Sequence, residues 1–145
     1  MAPAPLRLLV VGGGVIGSVY ATWLQTSGHQ VTILARGQRL IALQEHGLRI
    51  EDAQTGQVLT TPIATVDHLA PDADYDMLIV AVRLEQVAAL LPSIAATRRI
   101  PTVLFFLNNA FGVEQFVQAV GPERTVLGFP GIGGHQLGTT TKYWD

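Results

Sequence analysis

Six residues near the N-terminus, Gly12-Gly13-Gly14-Val15-Ile16-Gly17, constrain this chain more than any other segment. They stand between a short apolar run, Leu6 to Val11, and a stretch in which Ile16, Val19, Tyr20, Trp23 and Leu24 recur at helical spacing. A short, nearly uninterrupted apolar run reads as a strand covered on both faces. Gly28 lies where a left-handed residue closes a helix of Val15 to Ser27. The β-branched run Gln30 to Ala35 then reads as a second strand. Strand, helix and strand within about thirty residues make a βαβ unit, right-handed by the rule for parallel crossovers. In that setting the G-x-G-x-x-G spacing has a mechanical meaning. Gly12 permits the tight turn out of the strand, Gly14 lets the main chain approach a diphosphate with no Cβ in the way, and Gly17 lets the helix pack close to the strand. The helix start, Val15 and Ile16 included, offers unpaired N–H groups and a partial charge of about +0.5 to an anion. The alternative is a glycine-rich turn that binds nothing.

The rest of the chain continues the alternation. Gln38 to His46 reads as a short helix ending at Gly47, and Leu48 to Thr61 as a hairpin or irregular strand pair around Gln54-Thr55-Gly56. Asp76 to Val82 is the clearest central strand, followed by a helix over Leu84 to Leu91 that Pro92 kinks or ends. Thr102 to Leu107 is a buried strand, Val113 to Val120 an amphipathic helix, and Thr125 to Phe129 a last short strand before Pro130 to Gly134 breaks the pattern. The expectation is an α/β protein: a Rossmann-type, doubly wound, mostly parallel sheet, one domain over residues 1–145. Ligands of such sheets sit outside the carboxyl ends of the strands, near the topological switch point. That directs attention to Gly12–Gly17, Ala35–Arg39, Val82–Glu85 and Asn108–Gly112.

Composition excludes several classes. With a net charge of −2 and 14% charged residues, nothing argues for nucleic acid or a membrane surface. The chain has no cysteine, so disulfides, thiolate metal sites and a thiol nucleophile are excluded. The N-terminus lacks a basic region, and glycines cut its apolar run short, so neither a signal peptide nor a membrane span is expected, and the expected location is the cytoplasm. The 48% hydrophobic content and mean hydropathy of +0.34 are high for a small self-contained domain. An α/β sheet buried on both faces accounts for part of that, and a surface that meets another domain or another copy, as in a homodimer, is expected to account for the remainder. His29, His46, His68 and His135 occur singly and read as solvated or hydrogen-bonded. Asp72, Asp74 and Asp76 read as a solvated turn rather than a metal site. No catalytic or metal-ligating residue is assigned.

The residue at the end of the second strand selects among ligands. An acid about twenty residues beyond the glycines accepts hydrogen bonds from the 2′-OH of an NAD ribose. Here the position is Ala35-Arg36, with Arg39 close by. A carboxylate would repel a 2′-phosphate, whereas a guanidinium can hold one bidentately. Arg36 therefore favours NADP over NAD, the alternative being a solvated loop arginine. It also counts against an S-adenosylmethionine site, which would want an acid there.

The run GGGVIGSVYATWLQTSGHQVTILARGQRLIALQEHGLRI, with DMLIVAVRLEQV and TVLFFLNNAFGVEQ after it, resembles the N-terminal domain of the ketopantoate reductase (2-dehydropantoate 2-reductase) family as far as about Gly134. The resemblance implies an oxidoreductase that reduces a 2-oxo acid with NADPH, in the pathway to pantothenate. By resemblance, Gly12, Gly14 and Gly17 match the phosphate loop and Arg36 the arginine for the 2′-phosphate. Arg83 stands where a V-K-x-x-Q motif has its lysine near the cofactor, and Gln86 matches that motif's glutamine. Asn109 matches the asparagine of an N-G-x-G motif, beside the nicotinamide and within reach of substrate. Gly134 falls near a backbone contact to the cofactor. Two departures are Arg83 for lysine and Ala110 for glycine. Read without the resemblance, Arg83 is a solvated loop arginine and Asn109 a turn residue capping the helix that follows.

The resemblance further implies a second, helical domain that supplies a lysine as proton donor and an acid for the substrate. No residue here matches them; Lys142 sits in what reads as an irregular C-terminus. The expectation is an NADP-binding domain that is not fully active alone. Its rival is a stand-alone dinucleotide-binding or sensing module without catalysis.

Overall fold

The computed structural model describes residues 1–109 and 112–145. The expected βαβ unit is present as β1 (Arg7–Val11), α1 (Val15–Thr26) and β2 (Gln30–Leu34), with β1 and β2 parallel. Gly28, at φ +99°, supplies the left-handed turn after α1. Next come α2 (Gly37–His46), the antiparallel pair β3 (Leu48–Asp52) and β4 (Val58–Thr61), and β5 (Ala64–Val66), a short strand unmarked by any strong periodicity. The second half contains β6 (Met77–Val80), α3 (Leu84–Ala96), β7 (Val103–Phe106), α4 (Glu114–Val120) and β8 (Thr125–Gly128).

Six strands form one sheet in the order β5-β2-β1-β6-β7-β8, and every neighbouring pair is parallel. From β1 the chain winds first toward β2 and β5, then returns to the other side for β6, β7 and β8. The switch point lies between β1 and β6, where Val11 pairs with Val80. Gly12 leaves one strand there, and Ala81 leaves the other.

Both faces of the sheet bury apolar side chains, which is why β1 reads as a continuous apolar run. Leu9, Val11, Leu78, Val80, Val103 and Phe105 point toward α3 and α4, with Phe105 stacked on Phe116 at 4.4 Å between ring centroids. Leu8, Val10, Val31 and Ile33 point to the opposite face, with Ala21 and Leu43. Each such side chain contributes about 1.5–3 kcal/mol on leaving water, so the strand register is firmly held. Cover on this second face thins toward β8. There Tyr20, Leu24, Met77, Ile79, Leu104 and Phe106 line an apolar groove of about 250 Å³, and Val126 on β8 is 46% exposed. Leu127 and Phe129 are exposed as well.

Three sequence expectations need correction. The helix at Leu84 continues through Pro92 to Ala96, because Val87, Leu91 and Ile94 at i, i+4 and i+7 are all buried in the core. Burial of that stripe outweighs the one hydrogen bond that proline cannot donate. Thr125 to Gly128 is not the last strand. β9 (Gly133–Leu137), which begins at the end of the Pro130–Gly134 segment, and β10 (Thr140–Trp144) follow it as an antiparallel pair. Lys142 thus sits in a regular strand, ion-paired with Glu51 at 3.2 Å. Finally, these strands join β3 and β4 in a second sheet, β4-β3-β10-β9, in which β10 and β3 run parallel. This sheet packs on α1 through Val19, Ile50 and Tyr143, with Trp23 edge-on to the Tyr143 ring. Among the described residues no helix is long and apolar enough to cross a membrane.

Candidate functional site

The glycine loop is fastened between two strand ends. The Gly12 N–H donates to the Leu34 carbonyl at 3.2 Å, and the Ala81 N–H donates to the Val11 carbonyl at 2.9 Å. Gly12 has φ +116°, and a Cβ there would collide with the Ala81 carbonyl oxygen and come within 3.1 Å of Val82. A Cβ on Gly17 would run into the Gly12 carbonyl oxygen and approach Val10 at 3.3 Å. Both positions exclude any side chain. Gly14 differs: a Cβ built there meets nothing within 4 Å. It is the N-cap of α1, the cap has no side-chain hydrogen bond, and the first turn of the helix, starting at Val15 and Ile16, carries no acid. The three glycines therefore divide into two packed against the protein and one facing open space.

Arg36 lies at the exit from β2, where the Ala35 N–H donates to the Val66 carbonyl of β5 at 3.1 Å. It is exposed, and its guanidinium has no hydrogen bond within the described residues. Asp67 stands one strand over. The hydrogen bond from His68, 2.6 Å away, and the charge of that ring hold the Asp67 carboxyl below its ordinary range, and Arg36 adds a smaller electrostatic pull.

Arg39 behaves differently. Its Nε donates to the Gly13 carbonyl at 2.7 Å and its Nη2 donates to Ser18 Oγ at 2.8 Å. Ser18 Oγ in turn donates to the same Gly13 carbonyl at 3.1 Å. Burial pushes the Arg39 guanidinium pKa down from its ordinary value; the group nevertheless stays protonated at neutral pH. In the sequence Arg39 stands out only as a neighbour of Arg36, and Ser18 carries no motif of its own. The available signal was an arginine in the first turn of α2 and a hydroxyl directly after Gly17.

The other predicted positions are distributed around this loop. Arg83 is exposed at the N-cap of α3, where its backbone N–H donates to Gln86 Oε1 at 3.1 Å. Gln86 therefore has a local role, capping the helix. Asn109 follows β7, and its amide donates to the carbonyls of Phe105 at 3.2 Å and Gly128 at 3.3 Å, joining the ends of β7 and β8. It does not cap the following helix, whose N-cap is Val113. Ala110, the second departure from the motif, lies outside the described residues. Gly134 is on β9, where a Cβ would strike the Lys142 carbonyl oxygen and reach Val15 at 2.8 Å. The second sheet thereby brings Gly134 against the start of α1. The structure gathers Gly12–Gly17, Arg39 and Gly134 in direct contact, with Arg36, Arg83 and Asn109 at the carboxyl ends of β2, β6 and β7. Asp74 and Asp76 are engaged by Arg7, whose Nη2 lies 3.2 Å from Asp74 and whose backbone N–H donates to Asp76 at 2.7 Å. His29 accepts a hydrogen bond from the Leu6 N–H.

A glycine loop at the switch point of a doubly wound parallel sheet defines the class of dinucleotide-binding α/β domains. Within that class the chain belongs to the ketopantoate reductase family: the family model described as Ketopantoate reductase PanE/ApbA matches residues 8–143. It is 26% identical over 113 residues to the 2-dehydropantoate 2-reductase of Vibrio cholerae, covering 77% of this chain and 34% of that protein. Its fold matches the crystal structure of 2-dehydropantoate 2-reductase from Geobacter metallireducens at a TM-score of 0.82 and 20% identity, over 97% of this chain and 46% of that one. It also matches the ternary structure of D-mandelate dehydrogenase with NADH and anilino(oxo)acetate, at a TM-score of 0.77 and 20% identity, over 94% and 45% of the two chains. The chain thus spans about a third of the length of the curated relatives it matches and about half that of the solved chains.

Proposed function

We propose that this chain is the NADP(H)-binding part of an oxidoreductase that reduces a 2-oxo acid such as 2-dehydropantoate. The observation that carries the reading is the open space at Gly14 beside an uncapped helix start, with the guanidinium of Arg36 unengaged at the end of the neighbouring strand. The glycines fit a diphosphate, since the one Cβ direction that a ligand would need is clear. Gly12, Gly13, Gly14, Val15, Ile16 and Gly17 would hold the diphosphate, and Arg36 the 2′-phosphate. Arg83, Asn109 and Gly134 complete the proposed contacts. NADPH supplies a hydride when bound. This chain's own part is to bind and orient; a proton donor for the developing alkoxide is not assigned to any of its residues.

Titrating NADPH and NADH fluorescence against the protein tests the reading. The wild type is expected to prefer NADPH, and Arg36→Asp to reverse that preference. Loss of a charge-assisted pair of about 1.5–3 kcal/mol corresponds to roughly 10- to 150-fold. Equal or absent binding of both coenzymes would remove the Arg36 argument. A second reading is a binding or sensing module without chemistry, since a shared fold does not by itself specify a reaction. Steady turnover of 2-dehydropantoate by the 145-residue chain alone would exclude it.

A further inference from the structure

We infer that Arg39 is a positioning residue for the glycine loop, acting on coenzyme through the Gly13 peptide rather than as a second ligand of the ribose phosphate. The inference rests on the dinucleotide-binding reading above and assigns a role to a residue which that reading leaves idle. Two arginines lie within four residues, and the structure separates them. Arg36 is exposed and unengaged among the described residues, whereas the Arg39 fork is occupied on two sides by Gly13 and Ser18.

The geometry shows what that occupation accomplishes. The Gly13 carbonyl accepts two hydrogen bonds, from Arg39 Nε and from Ser18 Oγ, and the Ser18 hydroxyl is itself held by Arg39 Nη2. Three groups therefore form a closed triangle at the loop. In a planar trans peptide the carbonyl of one residue and the N–H of the next point in opposite directions. Fixing the Gly13 carbonyl toward α2 thus turns the Gly14 N–H away from α2. Gly14 is the residue whose Cβ direction is open, so the loop donor and the open space belong to the same peptide neighbourhood. Packing enforces the arrangement as well. A Cβ on Gly13 would come within 3.0 Å of Arg39 Cγ, so the side chain lies flat against the loop and is partly desolvated there. A flexible glycine loop samples many peptide orientations, and apparent affinity falls in proportion to the fraction that is competent. The Arg39 clamp raises that fraction before any ligand arrives.

The prediction is a loss of affinity that does not discriminate between coenzymes. With the 145-residue chain, Arg39→Gln is expected to weaken NADPH and NADH by the same factor, about tenfold (about 1.4 kcal/mol). The NADPH/NADH ratio stays at the wild-type value. Arg36→Asp, by contrast, changes the ratio. Arg39→Lys keeps the charge but has no planar fork for two acceptors, so its affinities fall between Gln and wild type. Ser18→Ala removes one side of the triangle with little change in volume and carries the test if Arg39→Gln does not fold; it is expected to cost both coenzymes a smaller, equal factor. Melting curves without coenzyme identify variants whose loss is mere unfolding. A selective loss of NADPH in Arg39→Gln would overturn the inference and make Arg39 a phosphate ligand. Unchanged binding of both coenzymes in Arg39→Gln and Ser18→Ala would overturn it too. Failure of the wild type to bind either coenzyme is a different result, which sinks the dinucleotide reading and this role with it.

Discussion

Replacing Gly14 by alanine separates the fold of this chain from the binding proposed for it. The residue has φ −79°, so no left-handed strain is created, and the added methyl group meets no atom within 4 Å. Two small terms act on stability and oppose each other. Loss of chain freedom in the unfolded state favours alanine by about 0.4–1 kcal/mol. Alanine is a poorer N-cap than glycine, by an amount of about 1 kcal/mol. The net change is therefore expected to lie within about 1 kcal/mol of zero, a shift of at most about 4 °C in melting temperature for a domain of this size. Gly17→Ala provides the contrast, since its methyl group collides with the Gly12 carbonyl oxygen and presses on Val10 at 3.3 Å. Overpacking of that kind costs about 1–3 kcal/mol or more. If the main chain at Gly14 approaches a diphosphate, the methyl group occupies the space the phosphate needs, and NADPH affinity should fall at least tenfold (about 1.4 kcal/mol) while the fold remains intact. Circular dichroism melting gives the first quantity and coenzyme fluorescence titration the second. A stable Gly14→Ala protein that binds NADPH as well as wild type would refute the idea that this residue borders the coenzyme. A Gly14→Ala protein as damaged as Gly17→Ala would refute the division of the glycines into packed and open positions.

Two further outcomes concern stability. Pro92 is exposed inside α3, where it cannot donate to the carbonyl of Ala88, so Pro92→Ala should stabilise the protein by about 1–3 kcal/mol in chemical denaturation. Asp52 accepts hydrogen bonds from the Gln54 N–H at 2.8 Å and the Thr55 N–H at 3.3 Å, and the first of these leads the effects that hold its carboxyl below the ordinary range. A depressed folded-state pKa stabilises the protein above the unfolded-state pKa, and that contribution disappears as pH falls through the folded value. Asp52→Ala should therefore be less stable than wild type at neutral pH, and the difference should narrow on acidification below the usual carboxylate range.

Much of this architecture is legible locally. The glycine loop, the flanking strand and helix, the left-handed Gly28 and the hairpin at Gln54-Thr55-Gly56 each follow from neighbouring residues, because turn chemistry and side-chain period act over a few positions. Arg36 could likewise be located by its distance from the glycines. Other features depend on contacts that no local pattern encodes. β9 and β10 contain few apolar residues and follow a segment of proline and glycine, so they read as the end of regular structure. They become strands because Arg49 and Thr140, 91 positions apart, meet at the β3–β10 junction and Tyr143 finds a pocket against α1. β5 is likewise a strand because β2 offers it an edge.

The sequence by itself determined the alternation of strands and helices in the main sheet apart from β5, the glycine loop and the cation placed after the second strand, since each is written in spacing along the chain. Only the tertiary structure decided which cation is unengaged and which is tied to the loop, and that Asn109 joins two strand ends. It also decided that a second sheet brings Gly134 against the helix start. The physical reason is that hydrogen bonds between residues 19 or 26 positions apart depend on how layers pack, and packing is settled by the whole core at once.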